Sequence, residues 1–270
     1  MEALTKRLFG PLGLLLALLG VLVLIEATGY GVKFTVRAYE DLMLARAPSV
    51  ERATAYGSRH LDYAHPLLYD IKAAEHFYRE AARLDPAYPY VHHQLARIAF
   101  LRGNFPLALA EINTEIKLHG EKEPNTYYIR ALIEGFRGDY AAAAYDYERF
   151  LKAHPNNWAA LNDLAWVLLK SGKYAKARDA ALRGLEHFPE NAWLLNSLAI
   201  AQYELGAYDE AYDTAQKASV AVAVVSEAEW SRAYPGNDPT IAGAGLAAFK
   251  EAVENNINTI RNAVAAQEIQ

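Results

Sequence analysis

The distribution of apolar residues divides the chain into an apolar N-terminal stretch, a long patterned body and a C-terminal amphipathic segment. The stretch from Leu8 to Ile25 contains no charged residue and is dominated by Leu, Val and Gly. A helix needs about 20 mainly apolar residues to cross the hydrocarbon layer of a membrane, and residues 8–30 supply them if Glu26 reaches the interface. The pattern therefore predicts a single transmembrane helix within an N-terminal anchor, residues 1–30.

Two other interpretations of this stretch stay open. A cleaved signal peptide usually has an apolar region of about 7–15 residues followed by a small-x-small cleavage site. The run here is longer, and Ile25-Glu26-Ala27 offers no good site. A buried core helix would normally show a polar face for solvent, and this segment shows none. Both features favour a membrane anchor.

The charges that flank the predicted span indicate its orientation. The short tail before the span carries Lys6 and Arg7, whereas the residues after it include Lys33, Arg37 and Arg46. The two sides are nearly balanced, but a very short basic tail usually stays in the cytoplasm. We therefore expect a single-pass protein of a bacterial inner membrane, with the body on the extracytoplasmic side.

The body carries an internal repeat. Glycine recurs at steps of 34 or 35 residues, at Gly103, Gly138, Gly172 and Gly206. An aromatic residue follows each glycine by two positions, at Phe105, Tyr140, Tyr174 and Tyr208, and an alanine follows by five, at Ala108, Ala143, Ala177 and Ala211. Leu-Ala pairs precede the glycines, at Leu95-Ala96, Leu164-Ala165 and Leu198-Ala199, and units end at Pro86, Pro155 and Pro189.

Each recurring residue has a mechanical purpose in a stack of helix pairs. The small residues let two helices approach closely, and glycine allows the tight turn between them. The aromatic residue fills the gap between the helices, and proline stops the second helix before the next unit begins. Neighbouring pairs then bury each other's apolar faces in a row.

These residues resemble the tetratricopeptide repeat, whose pattern is W-x2-L-G-x2-Y, then A-x3-F, then A and P. Four units between residues 89 and 225 match in register. Two departures stand out, because Arg130 replaces the usual leucine and Gly120 stands where a proline should end a unit. The resemblance implies an all-α fold, an α-solenoid of helix pairs behind one N-terminal transmembrane helix.

The segments upstream of these units are less regular. Residues 31–54 are predicted to form a helical linker, with a helix from Thr35 to Ala53. Residues 55–88 are interpreted as a degenerate repeat. Its second helix would contain Ala74, Tyr78 and Ala81, and its first helix, around residues 60–69, would be interrupted by Pro66.

Beyond the last unit, residues 226–270 are predicted to form a loop and a capping helix. Tyr-Pro-Gly-Asn-Asp lies in the stretch from Ser226 to Asp238 and is typical of a turn, and Asp238 or Thr240 could cap the helix that follows. Apolar residues then recur at three- and four-residue steps, at Leu246, Phe249, Val253, Ile257, Ile260 and Val264. We expect this face to cover the last repeat.

The resemblance also implies a partner-binding surface, because first helices of such repeats line a concave groove. Counting from the prolines, the groove residues here include Tyr90, His93, Arg97, Phe100, Tyr128, Leu132, Phe136, Asn162, Trp166, Lys170, Trp193, Asn196, Tyr203 and Glu204.

The chemistry of this set favours a protein partner. The asparagines at 162 and 196, one unit apart, could grip a peptide backbone, and the tryptophans at 166 and 193 could supply a binding hot spot. The alternative is that the asparagines are solvated and the tryptophans pack between repeats. A clamp for acidic C-terminal peptides, which uses Lys and Asn, does not fit His93 and Arg97.

Composition narrows the function further. A net charge of -5 and a pI near 5.9 argue against a nucleic-acid partner. The absence of Cys excludes disulfides and thiolate metal sites. No catalytic motif spacing is present, so we expect neither an enzyme nor a cofactor. A metal site formed by His60 and His65 with Asp62 and Asp70 stays a minor alternative.

The sequence thus predicts a membrane-tethered scaffold that binds a peptide or helix of a partner in its groove, in envelope assembly or secretion. The alternative is a permanent structural subunit of a membrane complex or a self-associating assembly. A third interpretation, an enzyme with a repeat tail, lacks a catalytic domain.

Overall fold

The computed structural model describes residues 30–120, 122–233 and 238–267. They divide into two compact units. Unit 1 ends at Tyr88, and unit 2 begins at Pro89. The described residues form helices and connecting turns, with no strand among them. The all-helical fold predicted from the repeat pattern is therefore confirmed.

Residues 30–88 of unit 1 form three helices, α1 (Tyr30–Arg46), α2 (Val50–His60) and α3 (Ile71–Leu84). Helices α2 and α3 pack against each other as a pair. Their interface is built from small and aromatic side chains, and Ala53, Ala73, Phe77 and Ala81 are fully buried there.

The predicted first helix of this pair was wrong in position. We expected it around residues 60–69, but α2 ends at His60 and residues 61–70 form a series of turns. Asp62 folds back to accept a hydrogen bond from the Ala64 backbone N–H, at 2.8 Å. Pro66 disfavours the helical conformation at the residue before it, so the helix cannot run through this stretch.

The predicted continuous linker helix was also wrong in extent. Helix α1 ends at Arg46, and α2 starts after Pro48. The Ser49 side chain accepts a hydrogen bond from the Arg52 backbone N–H and caps the new helix. Proline disfavours continuation of the first helix, and the N-cap residue after it favours the start of a second helix.

Unit 2 contains four helix pairs. The first helices are α4 (Val91–Leu101), α6 (Asn125–Arg137), α8 (Trp158–Lys170) and α10 (Ala192–Glu204), and the second helices are α5 (Phe105–His119), α7 (Tyr140–Ala153), α9 (Tyr174–Leu185) and α11 (Tyr208–Ala223). Each first helix packs against its own second helix, and each second helix packs against the next first helix. This is the stacking expected of a repeat array.

The recurring residues occupy the positions that the repeat pattern predicts. The four glycines between paired helices have φ angles of 69° to 87°, in the left-handed region that glycine adopts without strain. The four second-helix alanines are completely buried. Because both features recur in every pair, neighbouring pairs stack closely, and one buried cluster extends from α4 to α10.

The C-terminal region ends in the predicted capping helix, α13 (Ala242–Gln267). Asp238 caps a single 3₁₀ turn, Pro239–Ile241, that leads into it. Val253, Ile257 and Ile260 are buried against α10 and α11. An additional short helix, α12 (Glu227–Ala233), lies in the stretch expected to be only a turn, where Ser226 accepts from the Glu229 backbone N–H.

Candidate functional site

The candidate site is a pocket of about 320 Å³ on the face of unit 2 that the first helices form. Helices α4, α6, α8 and α10 supply most of its lining, and α13 supplies one wall. Its principal side chains are Phe100, Phe136, Asn162, Trp166, Trp193 and Phe249. The first helices thus bring several of the predicted groove residues together in one cavity.

Three aromatic side chains from successive first helices form a row in this pocket. The rings of Phe100 and Phe136 meet edge to face with centroids 5.2 Å apart, and Phe136 and Trp166 are 5.5 Å apart. Phe136 is 56% exposed, although it is flanked by aromatic rings on both sides. Burying apolar surface of this kind away from water lowers the free energy.

A second aromatic contact closes the pocket at the end of the repeat array. The ring of Phe249 in α13 stacks on Trp193 with centroids 4.9 Å apart and planes 8° apart. Trp193 in turn lies 5.2 Å from Trp158. The terminal helix therefore contributes a wall to the cavity in addition to covering the last repeat.

The two asparagines of the predicted ladder are both engaged within the chain. The Asn162 Oδ1 atom accepts a hydrogen bond from the Ser197 hydroxyl at 2.8 Å. The Asn196 Oδ1 atom accepts one from the Asn256 amide of α13 at 2.9 Å. The structure thus uses both amides to join neighbouring helices at the floor and edge of the pocket.

The pocket presents no isolated charge among its lining residues. Asp163 is its one ionisable side chain, and its Oδ2 atom accepts a hydrogen bond from the Tyr128 hydroxyl at 2.9 Å. The remaining lining side chains are apolar, amide or hydroxyl groups. An apolar group therefore suits most of this cavity, and an anion does not, since an anion would lose its hydration and lie beside the Asp163 carboxyl group.

Other predicted groove residues lie elsewhere. Tyr128 is buried between α6 and α7, with its ring against Tyr147 and Phe150. Lys170 is exposed at the end of α8, and Tyr203 packs on Tyr208 at a centroid distance of 5.5 Å. None of the three lines the pocket.

The predicted residues of the first pair surround the start of α4. Tyr90 precedes this helix with a φ angle of 67°, and its hydroxyl donates to Glu123. Glu115 of α5 accepts hydrogen bonds from the backbone N–H groups of Tyr90 and His93, at 2.8 and 3.2 Å. A carboxylate at this position neutralises the positive end of the helix.

Burial and charge set the protonation state in this region. Burial, followed by the nearby positive charge of Arg97, lowers the pKa of His93 to about 3. Arg97 donates to the Gln94 side chain at 2.7 Å. His93 is therefore a neutral, buried side chain at physiological pH, and it does not line the pocket.

Arg130, which departs from the repeat pattern, forms an ionic cluster between three helices. Its guanidinium donates to both carboxylate oxygens of Asp146 in α7, at 2.5 and 2.9 Å, and to Asn113 of α5, at 3.1 Å. Glu134 lies 3.8 Å from the same guanidinium. Burial, followed by the negative charge of Asp146, raises the pKa of Glu134 to about 7. This cluster joins helices and lies outside the pocket lining.

The histidines predicted as possible metal ligands have other contacts. His60 is buried, with Nε2 at 2.8 Å from Glu40 and Nδ1 at 2.9 Å from the Leu68 carbonyl. His65 pairs with Asp62 at 2.8 Å, and Asp70 caps α3. Across residues 30–120, 122–233 and 238–267, no group of three or more His, Cys, Asp or Glu side chains is placed to hold a metal ion.

The predicted transmembrane helix at residues 8–30 lies outside the described residues, except for its last position. Within the part of the chain that the structure describes, none of the helices combines the length and the apolar character that a membrane crossing requires.

Comparison with known proteins identifies the repeats. A sequence model of the tetratricopeptide repeat matches residues 130–189 and 162–238, and a second tetratricopeptide-repeat model matches residues 89–113. No curated protein matches the chain in sequence.

Solved structures show the same fold. A crystal structure of MamA protein has a TM-score of 0.55 and 19% identity, over 64% of this chain and 91% of that one. A second MamA crystal structure has a TM-score of 0.53 and 20% identity, over 58% and 92%. A tetratricopeptide repeat protein from Parabacteroides merdae ATCC 43184 has a TM-score of 0.54 and 19% identity, over 81% and 87%. The family models show that residues 89–113 and 130–238 consist of tetratricopeptide repeats, and the solved structures share the fold of this repeat array.

Proposed function

We propose that this protein is a membrane-tethered scaffold that captures an apolar segment of a partner protein in the pocket of unit 2. Tetratricopeptide repeats are protein-interaction modules, and membership of this family supports a binding function rather than an enzymatic one. The observation that carries the proposal is the exposure of Phe136 in the middle of the aromatic row. The surrounding rings line the pocket, which one bulky side chain of a partner can enter.

The chemistry of the pocket determines which partner side chains it can bind. Burial of one Leu or Phe side chain contributes about 1.5–3 kcal/mol, and contact with aromatic rings adds to this value. Asn162 and Asn196 at the rim already bond to neighbouring helices, so the partner needs to satisfy few polar groups there. We therefore expect a helix or peptide that presents an uncharged apolar anchor.

The tether belongs to the same proposal. The uncharged stretch from Leu8 to Ile25 is long enough to hold the body at a bacterial inner membrane. A tether raises the local concentration of a captured partner at the membrane without any new contact. A scaffold of this kind would serve envelope assembly or secretion. Protease added outside the inner membrane of intact cells should digest the body, and full protection would contradict this orientation.

Affinity capture tests the binding function. The full chain is purified from native membranes in mild detergent, in parallel with a Phe136→Ala, Trp166→Ala variant. Tyr145→Ala is the matched control, because Tyr145 is an aromatic residue with 64% exposure that does not line the pocket. We expect a protein that the wild type and the control retain and the pocket variant loses. Equal retention by all three, with unchanged helicity, would contradict the proposal.

A second candidate function is self-association as a structural subunit. It is favoured by Val220 on α11 and Val224 directly after it, which are 73% and 81% exposed and line a depression of about 730 Å³. Sedimentation of the full chain in detergent would distinguish the two. A stable dimer that Val220→Ser and Val224→Ser dissociate would support self-association, and a monomer would argue against it.

A further inference from the structure

Helix α1 has its apolar face towards the outside. When residues 31–46 are placed at 3.6 residues per turn, the exposed arc carries Val32, Phe34, Ala38, Tyr39, Leu42 and Ala45, with Thr35 and Arg46. Phe34, Tyr39 and Leu42 are 74%, 60% and 61% exposed. An amphipathic helix on a body surrounded by water would have the opposite orientation.

The inner face of the same helix carries charged side chains beside the buried Leu44. Glu40 is completely buried, and its two carboxylate oxygens lie 2.5 Å from Arg59 Nη1 and 2.8 Å from His60 Nε2. Lys33 donates to the Tyr69 carbonyl at 2.8 Å, and Asp41 accepts from His76 at 3.0 Å.

These contacts fix the rotation of α1, because turning the helix would leave the buried Glu40 carboxylate without its partners. Such groups are costly to bury unless they are paired. The apolar residues are therefore held outward by the ionic contacts of unit 1, and their exposure is a built feature of the fold. A contiguous exposed apolar face of this kind marks a contact surface.

We propose that the outer face of α1, defined by Phe34, Ala38, Tyr39, Leu42 and Ala45, lies against the lipid headgroup region of the membrane. This proposal rests on the proposed tether, since the described residues of α1 follow the apolar stretch of residues 8–25 in the sequence. Aromatic and aliphatic side chains with nearby basic residues are typical of helices that lie in this interface.

Charge supports a lipid surface as the occupant. The exposed arc of α1 carries one charged side chain, Arg46, and no acidic one. Anionic headgroups attract basic residues of this kind.

The absence of Cys in the chain makes a direct test simple, since a single Cys can carry a nitroxide spin label. We would label Phe34→Cys and Leu42→Cys in the full chain, reconstituted in bilayers of phosphatidylcholine and phosphatidylglycerol. Arg83→Cys, at a 65% exposed position on α3, is the aqueous control. Leu16→Cys reports on the tether. Power saturation compares collisions with oxygen, which enters lipid, and with a water-soluble nickel chelate.

We expect the labels at positions 34 and 42 to collide more with oxygen than with the nickel chelate, and the label at position 83 to do the opposite. If positions 34 and 42 behave like position 83 while position 16 lies in lipid, the surface proposal is overturned and the tether stands. If position 16 is also aqueous, the tether fails, and the surface proposal fails with it.

Protection of positions 34 and 42 from both reagents would also overturn the lipid proposal. Spin-spin broadening at full labelling would then identify a second copy of the chain as the occupant. Protection without broadening would indicate a protein surface instead, either another protein or residues 8–25 of the same chain.

Discussion

The Phe249 ring in the terminal helix α13 lies parallel to the Trp193 indole of the last repeat, with centroids 4.9 Å apart. The contact spans 56 residues of sequence and joins a helix outside the repeat period to a groove residue. It makes α13 part of the pocket lining, so the last repeat and the terminal helix form one continuous wall of the pocket.

Replacing Phe249 should therefore affect stability and binding together. Phe249→Ala removes the stacked ring and part of the cluster around Ala192, Leu195 and Val253, and we expect a loss of about 2 kcal/mol in the free energy of unfolding. Denaturant unfolding followed by circular dichroism measures it. Ile241→Ala, at a 56% exposed position before α13, is the control and should change stability by less than about 0.5 kcal/mol. Equal losses in both variants would contradict the assigned contact.

Arg130 and Asp146 should behave as a coupled pair. Arg130→Leu restores the usual residue of the repeat pattern but leaves the buried Asp146 carboxylate without its partner, so we expect a loss of about 3 kcal/mol. The double variant with Asp146→Leu should recover most of this loss, because neither charge is then buried. A double-mutant cycle measures the coupling, and additive effects would show that the pair contributes little.

Glu134 should make stability depend on pH near neutrality. Its pKa is raised to about 7 in the folded protein, from 4.5, so the folded state binds this proton more tightly than the unfolded chain does. The stabilisation is complete below about pH 4.5 and is lost as the pH rises through 7, by about 1–3 kcal/mol.

Glu134→Gln should remove this dependence, because the amide resembles the protonated carboxyl group. We expect the variant to be more stable than the wild type at pH 8 and similar to it at pH 5. Denaturant unfolding at both pH values measures the difference. Parallel pH profiles for the two proteins would contradict the shifted pKa.

Gly135 controls the position of Trp166 in the pocket. A Cβ atom at this glycine would lie 2.9 Å from Cζ3 of the Trp166 ring and 3.2 Å from Cγ1 of Val167, so Gly135→Ala must displace the ring. Overpacking costs about 1–3 kcal/mol, and the better helix propensity of alanine offsets about 1 kcal/mol of it. We expect changed tryptophan emission and reduced capture of the partner with helicity retained. Tyr145→Ala should change neither, and an unaltered emission in Gly135→Ala would contradict the close approach.

The sequence predicts the repeats well because each of their requirements is local. A left-handed turn needs glycine, a close helix contact needs alanine, and both needs recur with the period, as at Gly172 and Ala177. The capping helix is predictable for the same reason, since its apolar stripe has a local three- and four-residue spacing and includes the buried Ile260.

The pocket was harder to predict because its contacts are not periodic. The hydrogen bond between Asn196 and Asn256 joins positions 60 residues apart, and nothing in the repeat spacing indicates it. The place of Tyr128 in its unit predicts a groove residue. Its hydroxyl instead donates a hydrogen bond to Asp163, and the side chain lies between helices. The start of α2 depends on Pro48 and Ser49, two local signals that outweigh the helical pattern running through this stretch.

The most direct test of the central claim places a photoreactive phenylalanine analogue at position 136 of the full chain in native membranes. Irradiation should give one covalent adduct with another protein, and the same analogue at position 145, on the exposed face of α7, should not. Trp166→Ala in the same chain should abolish the adduct at position 136. Identical adducts from both positions, or an adduct at position 145 alone, would show that the pocket of unit 2 is not the surface that captures the partner.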